Sequence, residues 1–293
     1  MGTAMRTIRK KYKISFFDIA NYTFLIVVGI ITLYPFWHEI NISLSSTDEV
    51  LKGGLFLLPK KITLLSYKAV IGGSNIWRAY GNLIFSTGMK VLLGVFFTAL
   101  TAYPISRKQL YGRKAIIKFI IFTMLFNGGM IPTYLVVYNL GLVNSLWALV
   151  IPTLIAGYNT IIMKSFFQSI PAEIEESAYM DGANPFQIFF RIIVPLSKPV
   201  LATIALWVTV ATWNNFLGAL IYLNDRIKYT LPIFIREIIQ GQQQQADAEE
   251  LREISLESIR AATIMISVLP VICIYPFIQK YFVKGVMIGA VKG

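Results

Sequence analysis

Long runs without charge alternate along this chain with short clusters of Lys and Arg, and a helix that crosses a bilayer needs about 20 mainly apolar residues. Residues 19–37 form the first such run, and 91–106 the second, which extends back past Lys90 to about Tyr80. Residues 119–163 run for 45 positions without a charge. As one helix that stretch would measure roughly 68 Å, about twice a hydrocarbon core, so it must reverse. Asn139, Gly141, Asn144 and Ser145 supply turn chemistry within 138–145 and divide the run into two spans. Residues 199–224 make the fifth span and 261–279 the sixth. The pattern predicts an all-α integral membrane protein with six transmembrane helices.

The charges orient these spans. Arg6, Arg9, Lys10, Lys11 and Lys13 immediately precede the first apolar run. That run is too long for a signal peptide and lacks a small-residue cleavage site, so the basic cluster reads as a cytoplasmic anchor. Short loops decide topology: 107–114 carries Arg107, Lys108, Arg113 and Lys114, whereas 139–145 carries no Lys or Arg. Both termini are expected in the cytoplasm, with 164–198 on the same side and 44–79 and 224–257 outside.

Composition agrees with a membrane setting. Of 293 residues, 56% are hydrophobic and only 14% charged, against about 25% charged in a soluble domain; the mean hydropathy is +0.62. The net charge of +12 reflects these flanking clusters, so no nucleic-acid partner is inferred. A single cysteine, Cys273, cannot form an intrachain disulfide and reads as core packing.

One cytoplasmic segment is unlike a simple loop. Pro171 suits the first turn of a helix, and Glu173, Glu175 and Glu176 complement its positive end. Gly182 can stop that helix in the left-handed conformation, and Asn184-Pro185 can start another as N-cap and first helical residue. Phe186, Phe189, Phe190 and Ile193 follow at i, i+3, i+4 and i+7 as one apolar stripe. The result is two short helices joined at an elbow, the first acidic and exposed. Such a rigid surface element can transmit a push from a partner protein, although the periodicity alone also fits an ordinary amphipathic interfacial loop.

This segment resembles the EAA loop of ABC importer permeases, in which Glu-Ala-Ala is followed after three residues by Gly, after nine more by Ile, and after one more by Leu-Pro. Glu176-Ser177-Ala178, Gly182, Ile192 and Val194-Pro195 keep every spacing, with Ser177 and Val194 as small replacements. The resemblance covers nearly the whole chain. Gly141-Leu142-Val143-Asn144-Ser145, Phe166 to Pro171, Ala178 to Ala183, and the terminus from Gln279 are similar to the carbohydrate branch. The chain is most similar to the MalG-like (type I) half of maltose-like importers and, within it, to permeases for large or acidic oligosaccharides such as the alginate importer.

The resemblance implies one transmembrane permease domain over 1–293, with its core at about 80–282, a coupling segment at 172–194 and an extracytoplasmic loop at 224–257. It implies that Glu176, Ser177, Ala178, Asp181 and Gly182 contact an ATPase subunit, with Gly182 as the elbow. It implies that a tail including Gly289, Lys292 and Gly293 reaches between two ATP-binding cassette subunits, where a frayed terminus is the plain alternative. Further implied partners are a second permease subunit, an extracytoplasmic solute-binding protein and membrane lipid, in a bacterial inner membrane. The sequence lacks a Gly-x-x-x-x-Gly-Lys-Ser/Thr loop, so ATP and Mg²⁺ are expected on the partner subunits, and no cofactor, metal site or catalytic residue is assigned to this chain.

Trp213, Asn214 and Asn215 fall inside the fifth run, where amide side chains need partners. They could line a sugar path, by stacking and by bonding hydroxyls, or they could simply join helices. Lys90 could meet a carboxylate or an acidic sugar, with snorkelling toward headgroups the simpler expectation. His38 and Glu39 read as interfacial, and residues around 233–239 as helical ahead of a glutamine run at 240–245 that fits a polar linker. An ion-coupled secondary transporter is the alternative class, but it usually needs acidic residues in the spans, and the charge-free runs hold none. A membrane enzyme would need a nucleophile, base or metal constellation that one histidine and scarce carboxylates do not supply.

Overall fold

The computed structural model describes residues 15–240, 254–270 and 272–273, and the regular structure among them is helical. The chain divides into two compact units, 1–67 with 253–265, and 68–252 with 266–293.

The first unit holds α1 (Phe16–Ser43), 28 residues long. Its most apolar window has no buried residue, which leaves its circumference to lipid or to another chain. Beyond it the chain folds back. Asn41 Nδ2 donates to Trp37 O at 2.7 Å and to Phe56 O at 3.1 Å, and Thr63 N donates to Leu44 O at 2.9 Å. Ile42, Val50 of α2 (Thr47–Leu51), Phe56 and Ala261 form a small core there. His38 stacks on Tyr34 and meets the edge of Phe56.

In the chain, α3 (Leu65–Gly72) leads to α4 (Ser74–Ser106), a helix of 33 residues. After it come α5 (Arg113–Leu125) and α6 (Met130–Asn139), bent by 113° at 126–129, where Asn127 Oδ1 accepts from Gly129 N at 2.9 Å. Two 3-10 turns, Leu146–Leu149 and Ile151–Thr153, meet α7 (Gly157–Phe167) at 52°. Then follow α8 (Ala172–Met180), α9 (Pro185–Ile188), a π turn Phe189–Ile193, α10 (Val194–Leu196) and α11 (Lys198–Trp213). Next are α12 (Phe216–Tyr222) and α13 (Leu231–Ile239).

Within this unit α7 and α11 both pack along α4. Lipid tails are as apolar as leucine, so helices in a bilayer associate through close packing rather than through the hydrophobic effect. The core of this unit fits that rule: small Ala99, Ala102 and Ala178 sit among Met163, Phe167, Ile188, Phe189, Ile193 and Ile204.

The spans predicted from sequence hold in outline. Phe16–Ser43 and Asn75–Ser106 are each long and apolar enough to cross a membrane, and three bent pairs bring the number of candidates to five. The sixth begins in the helix 256–270, and its remainder from residue 274 lies outside the described residues. The turn at 140–145 is present, and the helix expected at 233–239 is α13. Three features differ. The runs contain additional breaks at 126–129, 154–156 and 214–215, the first and last opened by local turn chemistry that a charge-free window hides. Phe189 and Ile193 are buried while Phe186 and Phe190 are exposed, and the segment from Phe189 is a π turn and not the α-helix assumed. Cys273 is exposed rather than packed in a core.

Asn144, in the left-handed region at φ 59, ties the 140–145 turn to the segment after α12. Its backbone N donates to Tyr222 O at 2.6 Å and its Nδ2 to Asp225 Oδ2 at 2.7 Å. Its Oδ1 accepts from Asp225 N at 3.1 Å, and its carbonyl accepts from Lys228 Nζ at 2.8 Å. The Asn144 amide and the Lys228 ammonium hold the Asp225 carboxyl below its ordinary range. Asn144→Ala should therefore destabilise the detergent-solubilised protein by about 2 kcal/mol, from lost hydrogen bonds and left-handed strain. Asn144→Gly should lose only the hydrogen-bond share; equal melting temperatures for wild type and Asn144→Ala would contradict this role.

Candidate functional site

The segment 169–195 folds into the predicted elbow. Pro171 stands at the N-cap of α8, one position earlier than expected, and Glu173 and Glu175 fall in the first turn. The helix ends in a Schellman motif: Ala183 N donates to Ala178 O and Gly182 N to Tyr179 O, each at 3.0 Å, with Gly182 at φ 81. A Cβ there would meet no atom within 4 Å, so glycine is required by the backbone conformation and not by crowding. Asn184 then caps α9. Its Oδ1 accepts from Gln187 N and Gln187 Oε1 accepts from Asn184 N, each at 2.9 Å, while Pro185 occupies the first turn.

What fixes this elbow to the spans was not read from sequence. Glu175 is buried at 7% exposure, not displayed with its acidic neighbours. Its carboxylate forms an ion pair with Arg107, which follows the last residue of α4, and accepts from the Tyr103 hydroxyl at 3.5 Å. The Arg107 guanidinium lies 4.9 Å from the Tyr103 ring centroid, a cation–π contact. Burial pushes the Glu175 carboxyl above its ordinary value, and Arg107 and Tyr103 offset part of that rise. One turn later Ala178 packs into the core shared with α4, α7 and α11. Two further bonds hold the end of α4: Arg113 Nε donates to Ile105 O at 2.8 Å and Gln168 Nε2 to Ser106 O at 3.2 Å. A signal for the ion pair was available in the basic cluster after the second span and the acidic start of the elbow, but pairing across 68 positions has no local pattern.

The remaining predicted residues face away. Glu176, Ser177, Asp181 and Gly182 are exposed, whereas Ala178 is buried inside the chain. Beside them lie two exposed apolar side chains, Met180 at 88% and Phe186, the first member of the predicted stripe, at 72%. An exposed acidic and apolar face of this kind is suited to docking a partner. An open cleft of about 850 Å³ lies beside this ion pair, lined by Arg107, Lys108, Gln168, Glu173, Glu176 and Tyr179 among others.

Trp213, Asn214 and Asn215 occupy the break between α11 and α12. Asn214 Nδ2 donates to Val210 O at 2.9 Å, and Asn215 Oδ1 accepts from Gly218 N at 3.1 Å. Both amides thus cap helix ends; Asn214 is exposed, and Trp213 and Asn215 are half-buried. Lys90 Nζ donates to Thr153 Oγ1 at 2.7 Å. Gly289, Lys292 and Gly293 lie outside the described residues, as does the glutamine run beyond Gln240.

A helical membrane protein whose interrupted spans carry a capped, bent segment pinned to a spanning helix is built as a transport permease. The chain belongs to the family of binding-protein-dependent transport system inner membrane components, whose pattern matches residues 5–288. It is the permease subunit of an ATP-binding cassette importer. It is 41% identical over 281 residues, 94% of this chain and 98% of the relative, to the polygalacturonan/rhamnogalacturonan transport system permease protein YtcP of Bacillus subtilis. It is 42% identical over 280 residues, 94% of this chain and 95% of the relative, to protein LplC of the same organism. Among solved structures, a chain of a bacterial ABC transporter involved in the import of the acidic polysaccharide alginate matches with a TM-score of 0.88 at 35% identity, covering 93% of this chain and 99% of that one.

Arg107→Ala should leave the buried Glu175 carboxylate without its partner and cost about 3 kcal/mol. The double change Arg107→Met with Glu175→Leu should recover most of that, because an apolar pair of similar volume needs no desolvation. Melting temperatures of the purified chain check this, and an equal loss in the single and double variants would contradict it.

Proposed function

We propose that this subunit pairs with a second permease subunit to form the translocation path for an acidic oligosaccharide delivered by an extracytoplasmic binding protein. Two separate ATP-binding cassette subunits, holding ATP and Mg²⁺, drive the cycle. The observation that carries the reading is α8: its outer face is free while its inner face is fastened to α4 through Glu175 and Ala178. A displacement of that outer face must move α4, and with it the α7 and α11 helices packed along it. Glu176, Ser177, Asp181 and Gly182 form the contact with the ATPase, joined by Met180 and Phe186. Ala178 serves the same coupling from within, as the small residue that lets α8 approach α4. The tail containing Gly289, Lys292 and Gly293 reaches the ATPase subunits, Trp213, Asn214 and Asn215 flank the path, and both termini are cytoplasmic.

Two observations support an acidic sugar. YtcP, 41% identical, is named for polygalacturonan and rhamnogalacturonan, and the solved complex for alginate, whereas more distant relatives are named for neutral oligosaccharides. The charge-free runs 91–106, 119–163 and 199–224 place no carboxylate of this chain in their spans to repel one. The same lack of intramembrane acids disfavours an ion-coupled carrier.

In the assembled complex, Gly182→Val forces a β-branched residue into a left-handed conformation that costs about 1–2 kcal/mol even for an unbranched one. It should lower oligosaccharide uptake into proteoliposomes about tenfold or more, while ATP hydrolysis persists, since a shift of about 1.4 kcal/mol is worth a factor of ten. Unchanged uptake per ATP hydrolysed would remove the elbow from the mechanism. The purified chain alone should move no sugar under an ion gradient, and transport by it alone would contradict the reading.

A further inference from the structure

Lys90 stands 16 residues from either end of α4 (Ser74–Ser106), about 24 Å along the axis. Measured instead from the nearer flanking charge, Arg78, it is 12 residues inside, about 18 Å. The helix measures about 50 Å and outruns a hydrocarbon core of about 30 Å, so Lys90 falls in the stretch between Arg78 and Arg107 that crosses the membrane. A cation inside a span is costly and is retained beside a partner or a water-filled path. The partner here is neutral: Thr153 Oγ1 takes one of the three N–H donors, and among the described residues no carboxylate forms an ion pair with Lys90.

The backbone that Lys90 meets is irregular. Thr153 closes the second 3-10 turn, immediately before the break that separates it from α7. Irregular backbone at membrane depth is tolerated where protein covers it or where it borders water. This break lies directly against α4, because a Cβ at Gly94 would come within 3.1 Å of Leu154 O. On the other side of Lys90, the Thr87 hydroxyl is buried and has no hydrogen-bond partner among the described residues. Thr87, Lys90 and Gly94, at i, i+3 and i+7, form one stripe of α4. Two members of this stripe meet the turn ahead of α7, Lys90 through Thr153 and Gly94 beside Leu154.

We propose that Lys90 is the specificity-determining residue at which a carboxylate of the transported sugar is met inside the membrane, its ammonium exchanging or sharing the Thr153 hydroxyl for the uronate oxygen. This rests on the oligosaccharide permease reading above. A charge-assisted hydrogen bond of this kind distinguishes a uronate from the same sugar reduced to a primary alcohol. It also makes the site transient, since one neutral hydroxyl holds the cation between passages.

The test compares, in proteoliposomes containing the whole complex and its binding protein, uptake of a uronic-acid oligosaccharide with uptake of its carboxyl-reduced counterpart. The wild-type ratio should favour the uronate, Lys90→Met should lower that ratio about tenfold, and Lys90→Arg should keep it; one charged hydrogen bond is worth that much. An apolar Met in place of a cation inside a span is not expected to harm assembly. If Lys90→Met fails to assemble, Lys90→Gln gives the same reading. A ratio unchanged by loss of the charge overturns the proposal, and so does a wild-type ratio of one. Reduced assembly with an unchanged ratio would assign Lys90 to an ion pair with the second permease subunit instead. A wild-type complex that imports neither sugar removes the transport reading itself, a failure seen before any variant is compared.

Discussion

Helices inside a bilayer gain little from hiding apolar surface from one another, so a surface element can move a span only if it is fastened by close packing and by charge. Here the fastening is the contact of α8 with the end of α4. Ala178 belongs to the buried core that also holds Ala99 and Ala102, and Glu175 joins Arg107 and Tyr103 where the surroundings are poorly solvated. An ion pair in such a place adds little net stability over an apolar pair, because desolvation offsets attraction. What it supplies is a single register: with either charge displaced, the other is stranded. The Schellman turn at Gly182 and the capping box of Asn184 with Gln187 then make the segment beyond α8 rigid, so the elbow behaves as a lever and not as a tether.

The second constraint is backbone accounting within the membrane. Each peptide group removed from water must be paired, and a break in a span exposes several at once. The breaks of this chain solve this locally. Asn127 accepts from Gly129 N, Asn214 donates to Val210 O, and Asn215 caps α12. At the break before α7, the bare surface of Gly94 lets Leu154 come close to α4, and the Lys90 ammonium takes Thr153.

The sequence displayed whatever depends on near neighbours. Charge-free run length revealed the spans, and Gly141 with Asn144 marked the reversal. Gly182 and Asn184-Pro185 marked both ends of the elbow, because capping chemistry acts over three or four positions. Two kinds of feature stayed hidden. Pairings across distance, such as Glu175 with Arg107 and Lys90 with Thr153, leave no periodic trace; Glu175 looked like one more exposed acid beside Glu173 and Glu176. Breaks inside apolar runs were masked because hydropathy averages over the window: Asn127-Gly128-Gly129 and Asn214-Asn215 carry plain turn chemistry, yet a run without charge was read as a continuous helix. The apolar stripe from Phe186 to Ile193 assumed one α-helical period, whereas a π turn begins at Phe189 and only two of the four members are buried.

The central claim is that α8 and the end of α4 move as one body when the ATPase subunits close. Spin labels placed at exposed Ser177 and Lys108, after replacement of Cys273, report the distance between these elements in the assembled complex. The account predicts the same distribution in the nucleotide-free and ATP-trapped states, while the distance from Ser177 to its counterpart across the complex shortens. A Ser177–Lys108 distance that changes as much as the distance across the complex would show α8 sliding on α4, and would contradict the account.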